Sequence, residues 1–392
     1  MSRKTISGSM NKLNIYLKER ESHMDKNFAS KALKEFKIET PAWAYGDSGT
    51  RFKVFKQEES AKNIYEKIDA AAKVNDLTGG ACPTLAVHVD LDIGDADPVE
   101  VKEYAEDKGL KIGAINPTLY AEDYYKDGSF SNPDSAIQDK ALEHIAKSVD
   151  VMRKCDSKLM SLWFADGTNY PGQDNLIARK NRMEKNLKKT HDMLDDDMLM
   201  LIEYKCFEPA FYATDIADWG MSYIFSKKCG PKSKVLVDLG HHALGTNIEQ
   251  IVAFLIDEDM LGGFHFNSKK YADDDLTSGS ANPYELFLIF NELVAATNRQ
   301  SVYNTAYMID QSHNLKPKLS AMIQSVLNIQ ETYLKSLLVD ENALAQAQAK
   351  GDIVNAENIL KRAFFTDVRP ALIESLSERE VDINLLNQHV DF

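Results

Sequence analysis

Apolar positions along the 392-residue chain fall into two alternating textures. Short runs rich in β-branched, Leu, Met and aromatic residues recur, and longer amphipathic stretches separate them. The runs cover residues 40–46, 85–91, 110–117, 158–166, 198–205, 234–240, 262–267 and 306–312. Several are almost continuously apolar, as a parallel strand buried on both faces requires. The intervening stretches, such as 141–155 and 248–261, carry helical spacing. This alternation predicts an α/β fold, a closed (β/α)8 TIM barrel over residues 40–315. A doubly wound open sheet is the alternative, and it lacks support because no glycine-rich phosphate loop follows any strand. Residues 1–39 predict an N-terminal helical segment. From 316 to 392 the pattern is wholly helical, with Leu, Ile and Met at intervals of three and four. That extension is expected either to embrace a neighbouring subunit or to cover the base of the barrel.

Barrel enzymes build their sites at the C-terminal ends of the strands. Here those ends carry Glu203, Asp238, His265 and Asp310, on four consecutive predicted strands. An ionisable side chain in an apolar strand is costly unless it is paired or metal-bound, so a shared cation is expected. Three carboxylates and one imidazole suit Mn²⁺, Mg²⁺ or Co²⁺ better than a tetrahedral structural zinc. Asp273-Asp274-Asp275 follows His265 by eight to ten residues, and alternate members could join His265 on a second ion. Asp195-Asp196-Asp197 is a second acidic triplet but precedes its strand, at the opposite end of the barrel. It is read as a solvated helix terminus. His88, Trp43, Trp163, Lys205 and His241 share the rim. The tryptophans offer flat surfaces to the C–H faces of a sugar, and Lys205 could polarise a substrate oxygen.

Composition narrows the partners. A net charge of −14 opposes binding to nucleic acid and to anionic membranes. No segment reaches the roughly 18 apolar residues of a membrane span. Cys82, Cys155, Cys206 and Cys229 form no C-x-x-C pair and read as ordinary thiols of a reducing compartment. With no signal-peptide pattern at the N-terminus, a cytoplasmic location is expected.

The strings WAYGDSGTRF (43–52), SLWFADGTNYPGQ (161–173), IEYKCFEPAFY (202–212), LVDLGHHALGTNIE (236–249), LGGFHFNSKKYADDDL (261–276) and YMIDQSHN (307–314) carry a resemblance. They resemble the L-rhamnose isomerase family, of the bacterial broad-specificity type, among the xylose-isomerase-like barrels. The resemblance implies a structural metal on Glu203, Asp238, His265 and Asp310, and a catalytic one on His265, Asp273 and Asp275. It further implies Lys205, His241 and Asp310 as catalytic groups beside the sugar oxygens. His88 would sit near the ring or its opened form, with Trp43 and Trp163 as packing surfaces and Phe52 reaching into a neighbouring subunit. Manganese is the implied activator, with Co²⁺, Mg²⁺ or Zn²⁺ as alternatives, and a homotetramer the implied assembly. Three departures leave the preferred sugar open: Tyr204 replaces an expected His, Ser268 an expected Asp, and VDLD follows His88.

The expected reaction is aldose–ketose isomerisation of L-rhamnose and related aldoses. Two routes are open: a metal-assisted hydride shift, and a cis-enediol route that needs a base at C2. A rim rich in metal ligands and poor in free bases favours the shift. Alternatives are a metal-dependent ketose 3-epimerase, a nuclease barrel, which the net charge opposes, and a non-catalytic sugar-binding barrel.

Overall fold

The computed structural model describes residues 25–49, 53–208, 212–299 and 305–390. Its centre is a ring of eight parallel strands: β1 (Glu39–Pro41), β2 (Thr84–His88), β3 (Lys111–Asn116) and β4 (Leu159–Leu162). The second half comprises β5 (Leu199–Glu203), β6 (Ser233–Asp238), β7 (Leu261–Phe266) and β8 (Ala306–Ile309). Glu39 of β1 is in register with Met308 of β8 on one side and Thr84 of β2 on the other, which closes the barrel. The (β/α)8 architecture expected from the sequence is the one observed, and closure excludes the open sheet.

Each apolar run coincides with one strand to within a residue at its start, but every strand ends before its run does. After Pro41 the chain enters a 3₁₀ turn, Ala42–Tyr45, and after His88 one wide helical turn, Val89–Ile93. The apolar residues of these turns are mostly buried, Tyr45, Val89 and Ile93 among them, while Leu91 is exposed. Hydrophobicity therefore marks burial there, not strand.

Seven helices link successive strands: α1 (Ile64–Leu77), α2 (Pro98–Asp107), α3 (Ser135–Lys154), α4 (Leu176–Met193), α5 (Trp219–Cys229), α6 (Ile248–Asp257) and α7 (Pro283–Arg299). Each begins where an Asn or Asp side chain accepts a first-turn N–H: Asn63, Asp97, Asp134, Asn175, Asp218, Asn247 and Asn282. Such caps satisfy donors the helix itself cannot, and they set where each loop hands over to its helix.

The helix after β8, α8 (Lys318–Ser336), packs against α7 and α1 and buries Met322, Ile323, Val326 and Ile329 in the main core. It is the eighth helix of the ring. A boundary at 316 thus separates from the barrel a helix that completes it. Beyond it, α9 (Glu341–Ala349) and α10 (Ile353–Phe364) pair around their own small cluster of Leu344, Ala347 and Ile359. α11 (Arg369–Glu378) lies against the described part of the N-terminal segment, the helix Lys26–Glu35.

Inside the ring, Ala86, Ala114, Leu201, Leu236 and Met308 form an apolar plug. At its lower end Glu39 accepts the Ala114 N–H at 3.0 Å, and its carboxyl fills the space a Cβ on Gly113 would need. Burial pushes the Glu39 carboxyl above its ordinary range. Above the plug, strand ends hold polar side chains around a cavity.

Candidate metal centre

The register of β5 to β7 sets three of its side chains side by side. Leu236 pairs with Glu203, and Asp238 pairs with His265. Asp310 follows β8 by one residue, and its N–H still donates to the Phe266 carbonyl at 3.2 Å. Glu203, Asp238, His265 and Asp310 each offer a ligand atom, and these atoms lie within 4.8 Å of one another. The His265 Nδ1 is 3.4 Å from Glu203 Oε1, 3.8 Å from Asp238 Oδ2 and 3.7 Å from Asp310 Oδ2. That nitrogen is buried and has no hydrogen-bond partner. Donors on one octahedral cation at bond lengths of about 2.1 Å stand about 3 to 4 Å apart, which matches this spacing.

Each carboxylate is held from behind. Asp238 accepts from Gly240 N at 2.6 Å and from Asn267 Nδ2 at 2.9 and 3.1 Å. Asp310 Oδ1 accepts the Trp43 indole N–H at 2.8 Å. His241 Nδ1 is 3.1 Å from both Glu203 Oε1 and the Tyr204 carbonyl, while its Nε2 reaches Asp273 Oδ1 at 2.9 Å. Asp273 Oδ2 is 2.5 Å from Lys205 Nζ, which stands 5.0 Å over the Trp163 ring.

The electrostatics show which charge is in short supply. Burial alone would raise the Glu203 carboxyl, but the His265 and His241 imidazoles hold it down at about 2. His265 rises to about 9 against burial because Glu203, Asp310 and Asp238 favour its cation. His241 is driven well above its ordinary range by the same kind of neighbours, Asp238, Asp273 and Glu203. Even so, Asp238 is pushed up to about 6, by burial and by Glu203 and Asp310. Asp275 is pushed well above the carboxylate range by burial and then by Asp273, Asp310 and Asp238. The protein's own cations do not balance its acids here. A divalent ion fits that deficit, the donor set and the orphaned His265 nitrogen together.

The centre opens into a cavity of about 300 Å³. Its carboxylates all come from the β5–β8 half. The β1–β4 half contributes Trp43, His88, Asn116, Tyr120, Ser161 and Trp163. Asp92 Oδ2 accepts from the His88 backbone N–H at 2.7 Å and approaches Nδ1 at 3.2 Å, and Lys67 holds its other oxygen at 2.5 Å. That arrangement places the ring proton on Nδ1 and leaves Nε2 an acceptor, 3.3 Å from the Tyr120 hydroxyl.

Sequence reasoning and structure can be compared residue by residue. Lys205, His241, His88, Trp43, Trp163, Asp273 and Asp275 all line the cavity beside Glu203, His265 and Asp310. Asp273 and Asp275 do not converge with His265 as the other ligands do; among the described residues, the convergent group is the four named above. Asp273 instead joins Lys205 to His241. Both Asp273 and Asp275 adopt left-handed backbone, with φ of 45° and 47°, a strained state concentrated at functional sites. Phe52 lies outside the described residues. His242, the neighbour of His241, turns away from the cavity's chemistry: burial and Lys269 push it down to about 3, and its Nε2 meets the Tyr204 hydroxyl at 2.6 Å. The other acidic triplet sits at the far end and is ion-paired, Asp195 to Arg153 at 2.7 Å and Asp197 to Lys158 at 2.6 Å. Asn116, Tyr120, Ser161 and Asn267 were not anticipated. Asn267 had a usable signal, a polar residue directly after an apolar strand; Tyr120 lies in a loop with none.

The pattern that defines xylose isomerase-like TIM barrels matches residues 58–292. The chain belongs to that family. Within it, a protein of Rhizobium meliloti (strain 1021) named "probable sugar isomerase" is 40% identical over 349 residues, 88% of this chain and 81% of that one. Solved barrels of similar fold include 3-keto-D-glucoside 4-epimerase from E. coli, at 14% identity, a TM-score of 0.56, and coverage of 76% of this chain and 99% of that one. L-ribulose 3-epimerase is equally similar, at 14% identity and a TM-score of 0.56, covering 81% and 98%. At that distance the likeness is one of fold. Among the described residues, no helix of this xylose isomerase-like barrel is long and apolar enough to cross a membrane. Its four cysteines are free thiols.

Proposed function

We propose that this chain is a cation-dependent aldose–ketose isomerase, with L-rhamnose and L-rhamnulose as its first substrate pair. The observation that carries the reading is the convergence of Glu203, Asp238, His265 and Asp310 around an unpartnered imidazole nitrogen, in a sugar-sized cavity short of positive charge. These four residues would hold one Mn²⁺; the second ion that the resemblance implies on His265, Asp273 and Asp275 would have to draw Asp273 away from Lys205 and His241. When bound, the cations supply Lewis-acid polarisation of the C1 and C2 oxygens and offset charge that develops between them.

The protein's own groups do the rest. His88 Nε2, which faces the Tyr120 hydroxyl at 3.3 Å, would exchange that contact for a ring or anomeric hydroxyl and favour the opened sugar. Trp43 and Trp163 pack against its C–H faces. Lys205, ion-paired with Asp273, directs its ammonium at the C1 oxygen, with His241 and Asp310 beside it. The hydrogen on C2 moves with its electron pair to C1, while a proton passes from O2 to O1. A 3-epimerase would need acids on opposite faces of C3, and Glu203 with another acid of the cavity could serve; the product panel separates the two reactions.

The test is to strip the protein with chelator, restore Mn²⁺ and supply L-rhamnose beside a panel of aldoses and ketoses. Ketose from aldose, lost with chelator, is the expected result, with a C2 label retained in the product. Sugar binding without turnover, or C3 epimers alone, would overturn it. By the same family likeness the assembly is proposed to be a homotetramer acting in the cytoplasm.

A further inference from the structure

Resting on the reading of this centre as a cation site, we infer that Trp43 is a positioning residue for the metal, through Asp310. Asp310 is the least confined of the four ligands: its side chain is 22% exposed, against 0–4% for the others. It also lies one residue beyond the end of β8. Its two oxygens divide their tasks. Oδ1 accepts the Trp43 indole N–H at 2.8 Å, and Oδ2 turns towards His265 Nδ1 at 3.7 Å. Rotation of the carboxylate away from the centre would break the indole bond, so the bond selects the rotamer that binds.

Trp43 can do this because its own place is fixed twice. It sits in the 3₁₀ turn Ala42–Tyr45 that follows β1, the strand paired with β8. Its ring packs on His88, with centroids 4.3 Å apart and planes at 52°. One indole thus joins the cation-binding half of the barrel to the imidazole on the other half. Donors behind metal ligands typically change affinity about 10–100-fold.

The full-length protein is titrated with Mn²⁺, free ion being counted by its paramagnetic resonance, in the native and Trp43→Phe forms. Phe keeps an aromatic ring at this place and removes the N–H together with part of the indole. The expected result is Mn²⁺ binding about 10–100-fold weaker at one site in the variant. Unchanged Mn²⁺ affinity with a raised KM would reduce Trp43 to a sugar-packing surface and overturn the inference. If the native protein binds no Mn²⁺, the cation reading itself falls instead. A second measurement needs no folded Trp43 variant. The three tryptophans are labelled with ¹⁵N, and the Trp163 and Trp219 indole signals are assigned by Trp163→Phe and Trp219→Phe. Titration with diamagnetic Mg²⁺ should shift the Trp43 indole N–H signal; an unmoved signal would overturn the inference.

Discussion

Asp238 has no solvent contact, yet three donor contacts from Gly240 and Asn267 hold it in place. Asn267→Ala keeps the strand and removes the side-chain donor, so Mn²⁺ affinity should fall about 10–100-fold, measurable by calorimetry. The pH dependence of that affinity follows from the ligands. In the ion-free centre His265 keeps its proton up to about 9 and Asp238 up to about 6. A cation needs the imidazole neutral and the carboxylate ionised, so binding displaces those protons. Affinity should therefore rise with pH between about 6 and 9, with proton release detectable in buffers of different ionisation enthalpy; a flat profile would contradict it. The convergence of Glu203, Asp238, His265 and Asp310 could be expected from sequence because each is an ionisable group at or near the end of an apolar run. Asn267, Tyr120 and the tie between Trp43 and Asp310 could not. They depend on which loops face each other, and local periodicity holds no record of that.

Strands and helices were legible because burial imposes periods of two and 3.6 on the chain. Where burial has another cause the reading failed, as in the turns after Pro41 and His88. The short sheet of Gly167–Thr168, Phe207–Glu208 and Tyr212–Thr214 left no such signal either. The loops that carry it are organised by Asp166, which accepts from the N–H and hydroxyl of both Ser129 and Ser131 at 2.7–2.8 Å. Next to it the buried Arg179 meets Asp215 at 2.8 Å and Ser131 at 2.7 Å. Arg179→Ala leaves those partners uncompensated and should destabilise the fold by about 3–5 kcal/mol, read from the denaturant midpoint. Gly113→Ala would place a methyl on the Glu39 carboxyl. A loss of about 1–3 kcal/mol is expected from such overpacking, and Glu39→Ala in the same chain should recover part of it.

For the molecule as a whole, the eighth barrel helix looked in sequence like the start of an appendage, because a helix that closes a ring and one that leaves it share the same amphipathic pattern. What lies beyond is different in kind. The α9–α10 pair leaves Ile353 78% exposed and Val354 70% exposed, more apolar surface than a short hairpin needs. If these helices embrace a neighbour in the proposed tetramer, replacing both with Asp should lower the mass seen by light scattering while the far-ultraviolet dichroism stays constant. The division of the barrel into an acidic half and an aromatic half has an evolutionary corollary. On the proposed reading, mutations in the loops of β2–β4 would reshape the guest while Glu203, Asp238, His265 and Asp310 keep their places; Trp43, on the loop of β1, is the exception because it is tied to Asp310. Lineages built on this plan would be free to change their diet without relearning their chemistry.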